Sequence, residues 1–286
     1  MRTLPAAVLF VALISAVPSA RAIADDEAEK LLEDAVAAFK TGKFKVAIEL
    51  ADKAAKLDQK GAGGPLMAGL ARLQLRDNEA ALKSFTEAIA RDPKLATAYD
   101  RRGDAYLKLG KFTDAVADFD KFLELETNPM AAADHWRRGI ALYYAGKFDA
   151  GRKQFDLHRT VNPQDVENSA WHYLCNARAN SPKKAREDLI PVTKDSRVPM
   201  KQVLELFAGK IKPQDVLAAA EKAGLEGEML TEARFYANLY IALYYESEGD
   251  AKKAREYLTT AVEKYKIGHY MWDVGNAQLT VLKAKK

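Results

Sequence analysis

The chain has 286 residues, 44 of them Lys or Arg and 40 Asp or Glu, for a net charge of +4, and 48% are hydrophobic. So even a balance excludes a nucleic-acid surface, which needs a basic stripe of one sign. The single cysteine, Cys175, excludes an intramolecular disulfide in any compartment, so stability has to come from packing.

At the N-terminus Arg2 precedes an apolar run from Leu4 to Val17, followed by Ala20-Arg21-Ala22 or Ala22-Ile23-Ala24. A short apolar run ending in small residues reads as a secretory leader cleaved after Ala22 or Ala24, and it is shorter than the ~20 residues a membrane span needs. Residues 1–24 are therefore expected to be a signal peptide, with a periplasmic or secreted product and no membrane span after cleavage. Its removal takes away Arg2 and Arg21 and leaves +2. No cysteine stands at the cleavage site to take a lipid anchor.

From 25 to 163 the chain reads as consecutive helical hairpins. The cleanest copy has Tyr99, Gly103, Tyr106, Gly110, Ala115 and Phe119; the one before it has Gly69, Ala81, Phe85 and Ala88 before Asp92-Pro93, and the one after has Gly139, Gly146, Gly151 and Phe155 before Asn162-Pro163. Gly69, Gly103 and Gly139 follow one another at 34 and 36 residues. Small residues at the first-helix glycine and at Ala81 or Ala115 let two antiparallel helices approach, while Phe85, Tyr106, Phe119 and Phe155 fill the space to the next hairpin. This spacing resembles that of tetratricopeptide repeats. A weaker N-terminal copy has Ala35, Gly42-Lys43-Phe44, Ala47, Ala51 and Ala54, with Gln59 where a proline is expected. Gly61-Ala62-Gly63-Gly64-Pro65 reads as a turn before a helix.

The rhythm breaks at 164–228, where prolines at 182, 191, 199 and 213 punctuate four shorter helices, Asp165 to Ala179, Pro182 to Ile190, Met200 to Ala208 and Pro213 to Ala223. About 60 residues in such short helices would struggle to bury a core alone, so this stretch is read as an insertion packed within the array. At 229–286 the pattern returns with Ala242, Tyr245, Gly249-Asp250, Ala254, Leu258 and Ala261, followed by a last helix from Tyr270. No stretch alternates with period two, so the expected fold is all-α, a superhelix of hairpins with an irregular helical insertion before the last one.

The blocks Trp136-Arg137-Arg138-Gly139-Ile140-Ala141-Leu142-Tyr143-Tyr144-Ala145-Gly146, Trp171-His172-Tyr173-Leu174, Leu204-Glu205-Leu206-Phe207-Ala208-Gly209-Lys210-Ile211, and Phe235-Tyr236 through Gly249-Asp250 resemble, in order and spacing, those of the NlpI family of bacterial tetratricopeptide lipoproteins. The resemblance runs from Gly69 to Val262 and includes the irregular middle. It implies a non-enzymatic periplasmic adaptor, often a homodimer, that brings a processing protease together with peptidoglycan hydrolases. The chain departs from the family in lacking the lipidated cysteine.

No catalytic constellation, metal site or cofactor motif emerges. His172 and Cys175 lie three apart on an expected helix, but two groups make neither a zinc site nor an activated nucleophile; a half-buried pair is the expectation. His158 is read as a tolerated interface residue, and Asp114 and Asp118 as a solvated pair. The groove-side positions of the stacked first helices are expected at Thr97, Asp100, Asp104 and Lys108, then Trp136, Ile140, Tyr143 and Tyr144. Packing of Trp136 and Tyr143 against the next hairpin or the irregular middle is the competing reading. The acids Asp100 and Asp104 argue against a site for a partner's C-terminal carboxylate.

The functional expectation is an exported scaffold binding other proteins, with an envelope protease or peptidoglycan hydrolase as partner. The alternative is a self-associating structural protein in which Leu31, Leu32, Val36 and Phe39 pair two chains, unless they pack on Leu50 and Leu66 within one chain.

Overall fold

The structure, a computed structural model, describes residues 20–284, with side chains from 25 onward. The leader expected at 1–24 thus lies outside the described residues up to position 19, and the first described helix begins at Ala20. Sixteen helices and no strand are present among the described residues.

Four hairpins come first: α1 (Ala20–Lys40) with α2 (Phe44–Leu57), α3 (Gly63–Gln74) with α4 (Asn78–Arg91), α5 (Ala96–Lys108) with α6 (Phe112–Leu125), and, after the one-turn α7 (Ala131–Asp134), α8 (Trp136–Tyr144) with α9 (Phe148–His158). Next come α10 (Val166–Ala179), α11 (Pro182–Glu187), α12 (Met200–Phe207) and α13 (Pro213–Lys222). A fifth hairpin, α14 (Gly227–Ser247) with α15 (Ala251–Lys264), leads to α16 (Tyr270–Ala284). First helices form an inner layer, α1 against α3, α3 against α5 and α8 against α10, and each also packs on its own second helix.

All five hairpins turn the same way. The first helix ends in a left-handed residue at Gly42, Arg76, Gly110, Gly146 or Gly249, and the next amide reaches back five residues, as from Lys111 N to Tyr106 O at 2.9 Å and Asp250 N to Tyr245 O at 2.9 Å. This is the Schellman arrangement, in which glycine escapes the Cβ penalty. Arg76, with φ 59°, is the exception. It adopts a conformation that costs a residue with a Cβ about 1–2 kcal/mol.

Glycine serves a second purpose inside the hairpins. A Cβ on Gly69, Gly103 or Gly139 would stand 2.5, 2.7 or 2.6 Å from the ring of Phe85, Phe119 or Phe155. Ala81, Ala115 and Ala254 are likewise buried, and Tyr106 is half-buried against the core. Each buried phenylalanine is worth about 1.5–3 kcal/mol in apolar transfer. Gly63 and Gly64, expected in a turn, instead open α3; a Cβ on Gly64 would lie 2.8 Å from the Ala55 backbone nitrogen. Helix crossing at that distance requires glycine.

Arginines bind the layers together. Arg72 reaches back to Asp52 (2.7 Å) and forward to Ser84, Arg138 reaches Asp120 (2.7 Å) and Gln154 (2.9 Å), and Arg102 grips Asp118 through two bonds of 2.7 and 2.8 Å. Asp118 is therefore a buried ion-pair partner, which corrects the expectation of a solvated acid. Residues 31–39 pack within the chain: Leu32 covers Gly63 and Phe39 meets Phe44 edge-on at 5.4 Å.

Candidate functional site

The inner face of the superhelix is where a tetratricopeptide-like stack would receive a partner, and its centre is filled by the chain itself. Helix α16 packs on α15 and also on α5. The hydroxyl of Tyr270 donates to Asp104 (2.5 Å) and its ring meets Trp136 edge-on at 5.0 Å. Further along, Tyr144 donates to Gln278 (2.9 Å), and Val281 lies over Gly110, where a Cβ would be 2.6 Å from it. At the other end Arg76 pairs with Asp273 (3.0 Å) and stacks on Trp272 at 4.9 Å. The one hairpin turn without glycine is thus the one whose side chain latches α16.

This arrangement decides where the eight expected groove residues stand. Thr97 is exposed. Asp100 is buried and held by the first arginine of the next repeat, Arg137, at 2.7 Å, and by His135 at 3.0 Å. His135 accepts from the Arg138 amide through Nδ1 (3.2 Å), capping α8, so Nε2 carries the proton donated to Asp100. Burial pushes the Asp100 carboxyl up, but the His135 bond and the charges of Arg137 and Arg101 outweigh it and hold the group well below the usual carboxylate range. Asp104 pairs with Lys108 at 3.1 Å as well as accepting from Tyr270. Both acids are spent on this chain, so they do not present a free acidic pair to a partner.

Trp136 and Tyr144 are half-buried against α16 and the core, and Ile140 and Tyr143 are buried. Tyr143 donates to Glu246 of α14 at 2.9 Å, and Gln278 of α16 donates to the same carboxylate. Burial pushes the Tyr143 hydroxyl far above its ordinary value. These aromatics therefore pack, but against α14 and α16 rather than the irregular middle alone. Sequence spacing carried no sign of this because the partners are 103 and 134 residues away.

Two openings flank the first turn of α16. The larger, about 830 Å³, lies between α1, α3, α5 and α16, with Phe39, Leu70 and Leu73 as apolar lining and Arg76, Arg101, Asp104, Lys108 and Asp273 as charged lining. The smaller, about 440 Å³, is bounded by α8, α9, the start of α10 and the start of α16. Both fall in the size range of ligand-binding clefts.

Nucleophile and metal chemistry find no purchase at the His172 and Cys175 pair. Cys175 lies flush on Gly151, where a Cβ would come within 2.8 Å of its sulfur, and burial pushes its thiol far above the ordinary range. His172 faces Asp156 at 3.2 Å, and its pKa is lowered chiefly by burial. No group of three or more His, Cys, Asp or Glu is placed to hold a metal among the described residues. No described helix is long and apolar enough to cross a membrane.

Comparison with known proteins accords with this geometry. The family model for the tetratricopeptide repeat matches residues 66–124 and 101–165, so the chain carries tetratricopeptide repeats over α3–α9, and proteins of this fold are generally non-catalytic interaction scaffolds. A tetratricopeptide repeat protein from Parabacteroides merdae aligns over 90% of this chain and 99% of its own, at 17% identity and a TM-score of 0.58. The MamA RS-1 double mutant aligns over 57% and 90%, at 18% identity and 0.51. The first such domain of Spaghetti (RPAP3), solved with the HSP90 peptide SRMEEVD, aligns over 41% and 94%, at 29% identity and 0.39.

Proposed function

We propose that this chain is an exported scaffold that binds other proteins through the open end of its inner groove, in the cell envelope, where it brings a protease or peptidoglycan hydrolase to its substrate. The observation that carries the reading is the 830 Å³ cleft left beside α16, with an apolar floor at Phe39, Leu70 and Leu73 and charges of both signs around it. An apolar floor anchors a side chain of a partner, and a charged rim sets its orientation. The envelope setting follows from the leader expected at residues 1–24 and from the resemblance of the blocks between Trp136 and Asp250 to an envelope adaptor family. A periplasmic or secreted location belongs to the same proposal.

Photo-crosslinking from position 70 in the native envelope tests it. The expected products are discrete adducts with a protease or hydrolase, abolished by Leu73→Glu; their absence, or adducts indifferent to Leu73→Glu, would sink the reading. Self-association through α1 is a second reading, with less support because Leu32 and Phe39 are engaged within the chain. Light scattering that finds a dimer dissociated by Leu31→Glu would favour it.

A further inference from the structure

The smaller cavity differs from the groove in both origin and charge. Only Trp136, Ile140, Phe155 and His158 in its walls come from the fourth hairpin; the rest are Asp134 of α7, residues of the connection into α10 and of its first turns, His269 just before α16 and Met271 in its first turn. Every formally charged side chain lining it is an acid, Asp134, Asp165 or Glu167, and no Lys or Arg is among them.

Neighbouring charge does not cancel this surplus. Arg197 reaches Asp165 at 2.6 Å, Glu167 at 2.7 Å and Asp195 at 2.6 Å, so one guanidinium serves three carboxylates. Glu167 responds accordingly: burial first, then the charge of Asp165, push it up to about 7 against the pull of Arg197 and of the Tyr240 hydroxyl. Asp134 is exposed and its carboxylate makes no ion pair or hydrogen bond among the described residues.

Hydrogen-bonding capacity is also left over. The Asn168 side-chain oxygen is buried with no partner, in a residue only 4% exposed. His158 must carry its proton on Nδ1 to donate to the Ala133 carbonyl at 2.8 Å, which leaves Nε2 a bare acceptor. The buried indole N–H of Trp171 is a leftover donor beside them. Buried polar atoms without partners are rare and costly. What these acceptors lack is a donor, and of the lining carboxylates Asp134 lacks a cation while Asp165 and Glu167 share Arg197 with Asp195. Around them stand the rings of Trp136, Phe155 and Trp171, surfaces that attract a cation over their faces and an alkyl stem along them. A carboxylate or phosphate ligand has no positive lining group to meet.

We propose that this cavity receives the cationic end of an arginine or lysine side chain presented by a protein partner, with its stem against the aromatic walls and its N–H groups on Asp134. This rests on the scaffold reading but uses a different surface from the cleft at Leu70. A partner that fills both openings would straddle the first turn of α16.

The test follows the tryptophan indole N–H resonances of the full nitrogen-15-labelled chain, assigned by single Trp→Phe variants. Trp272, which donates to Val262 at 3.0 Å and does not line the cavity, serves as the internal control. The probe is the tripeptide acetyl-Gly-Arg-Gly-amide, with the same peptide carrying citrulline, an uncharged near-isostere of arginine, beside it. The arginine peptide is expected to shift Trp136 and Trp171 but not Trp272, with binding weakened about tenfold or more by citrulline and about threefold or more by Asp134→Asn. Equal binding of the citrulline peptide, or no shift of Trp136 and Trp171, overturns the proposal. Free agmatine separates the two sources of a guanidinium: binding about tenfold tighter than the peptide's would assign the cavity to a small amine and overturn the partner side chain. Crosslinking from position 70 reads the other opening, so failure here leaves the scaffold reading intact, and failure there leaves this cavity to stand or fall alone.

Discussion

The first two hairpins and the rest of the chain bury their apolar surface by different means. Around α1–α4 the core breaks into small clusters, Ala35 with Ala51 and Ala68, Ala38 with Ala47 and Ala71, and Leu73 with Ala81 and Phe85. From Leu107 to Leu279 a single core runs unbroken and holds nearly all the large buried rings, Tyr143, Phe155, Trp171, Tyr173, Phe207, Phe235 and Tyr240 among them. Alanine clusters stabilise each hairpin only against its neighbours, as expected of a one-dimensional stack. The aromatic core joins helices distant in sequence, closing the second half into a globular unit whose last helix returns into the groove. A binding surface therefore stays open where the stack is pure repeat and is filled where the chain turns back on itself.

The comparison can be broken most directly at Phe207, whose ring meets Tyr173 at 4.9 Å and Tyr240 and Tyr244 at 6.4 and 5.9 Å. Phe207→Ala should cost about 3–5 kcal/mol in urea unfolding. It should speed amide exchange in α10, α12 and α14 together while leaving α1–α4 protected; loss confined to α12 would deny that the core is one unit.

A smaller effect is expected from Gly103→Ala, at the joint between the two regimes. The new methyl has to displace the Phe119 ring, and overpacking of this kind costs about 1–3 kcal/mol. Exchange should quicken in α5 and α6 and in their neighbours only. A uniform loss across the chain would argue that the repeats fold as one block with the aromatic core.

Glu167 sharpens the comparison through pH, since the aromatic half is where a carboxyl is buried beside Asp165 and Tyr240. Its folded value, about 7, lies above the ordinary 4.5. The stability this group contributes is therefore full below about 4.5 and is lost as pH rises through about 7. Glu167→Gln should be neutral near pH 5, where the native side chain is protonated, and stabilising by roughly 1–2 kcal/mol at pH 8. Equal midpoints for the two proteins at pH 8 would refute the assignment.

How much of this was legible beforehand differs by element. The hairpins could be read because Gly69, Gly103 and Gly139 and their phenylalanines recur at fixed offsets, and the short helices because Pro182 and Pro213 stand at their starts. α11 nevertheless ends at Glu187 rather than reaching Ile190, and α14 starts at Gly227 rather than Met229. The turn at Arg76 escaped notice because the glycine that marks the others is absent there. Of the site, residue positions on the inner helix face were readable from periodicity, but their occupation was not. Asp100 and Asp104 look alike in sequence to free groove acids, and only Arg137, His135 and Tyr270 reveal them as spent.

The amino-acid sequence by itself thus determined the helical hairpins, their turns and the order of their stacking, since all three depend on contacts a few to a few tens of residues apart and leave a periodic trace. Only the tertiary structure decided which part of the inner face is open. That depends on bonds such as Tyr270 to Asp104, across 166 residues, and on which acceptors beside Asn168 were left without donors. Pairings at such separations occur once each, so no period announces them, and their energies exist only when the chain has already closed on itself.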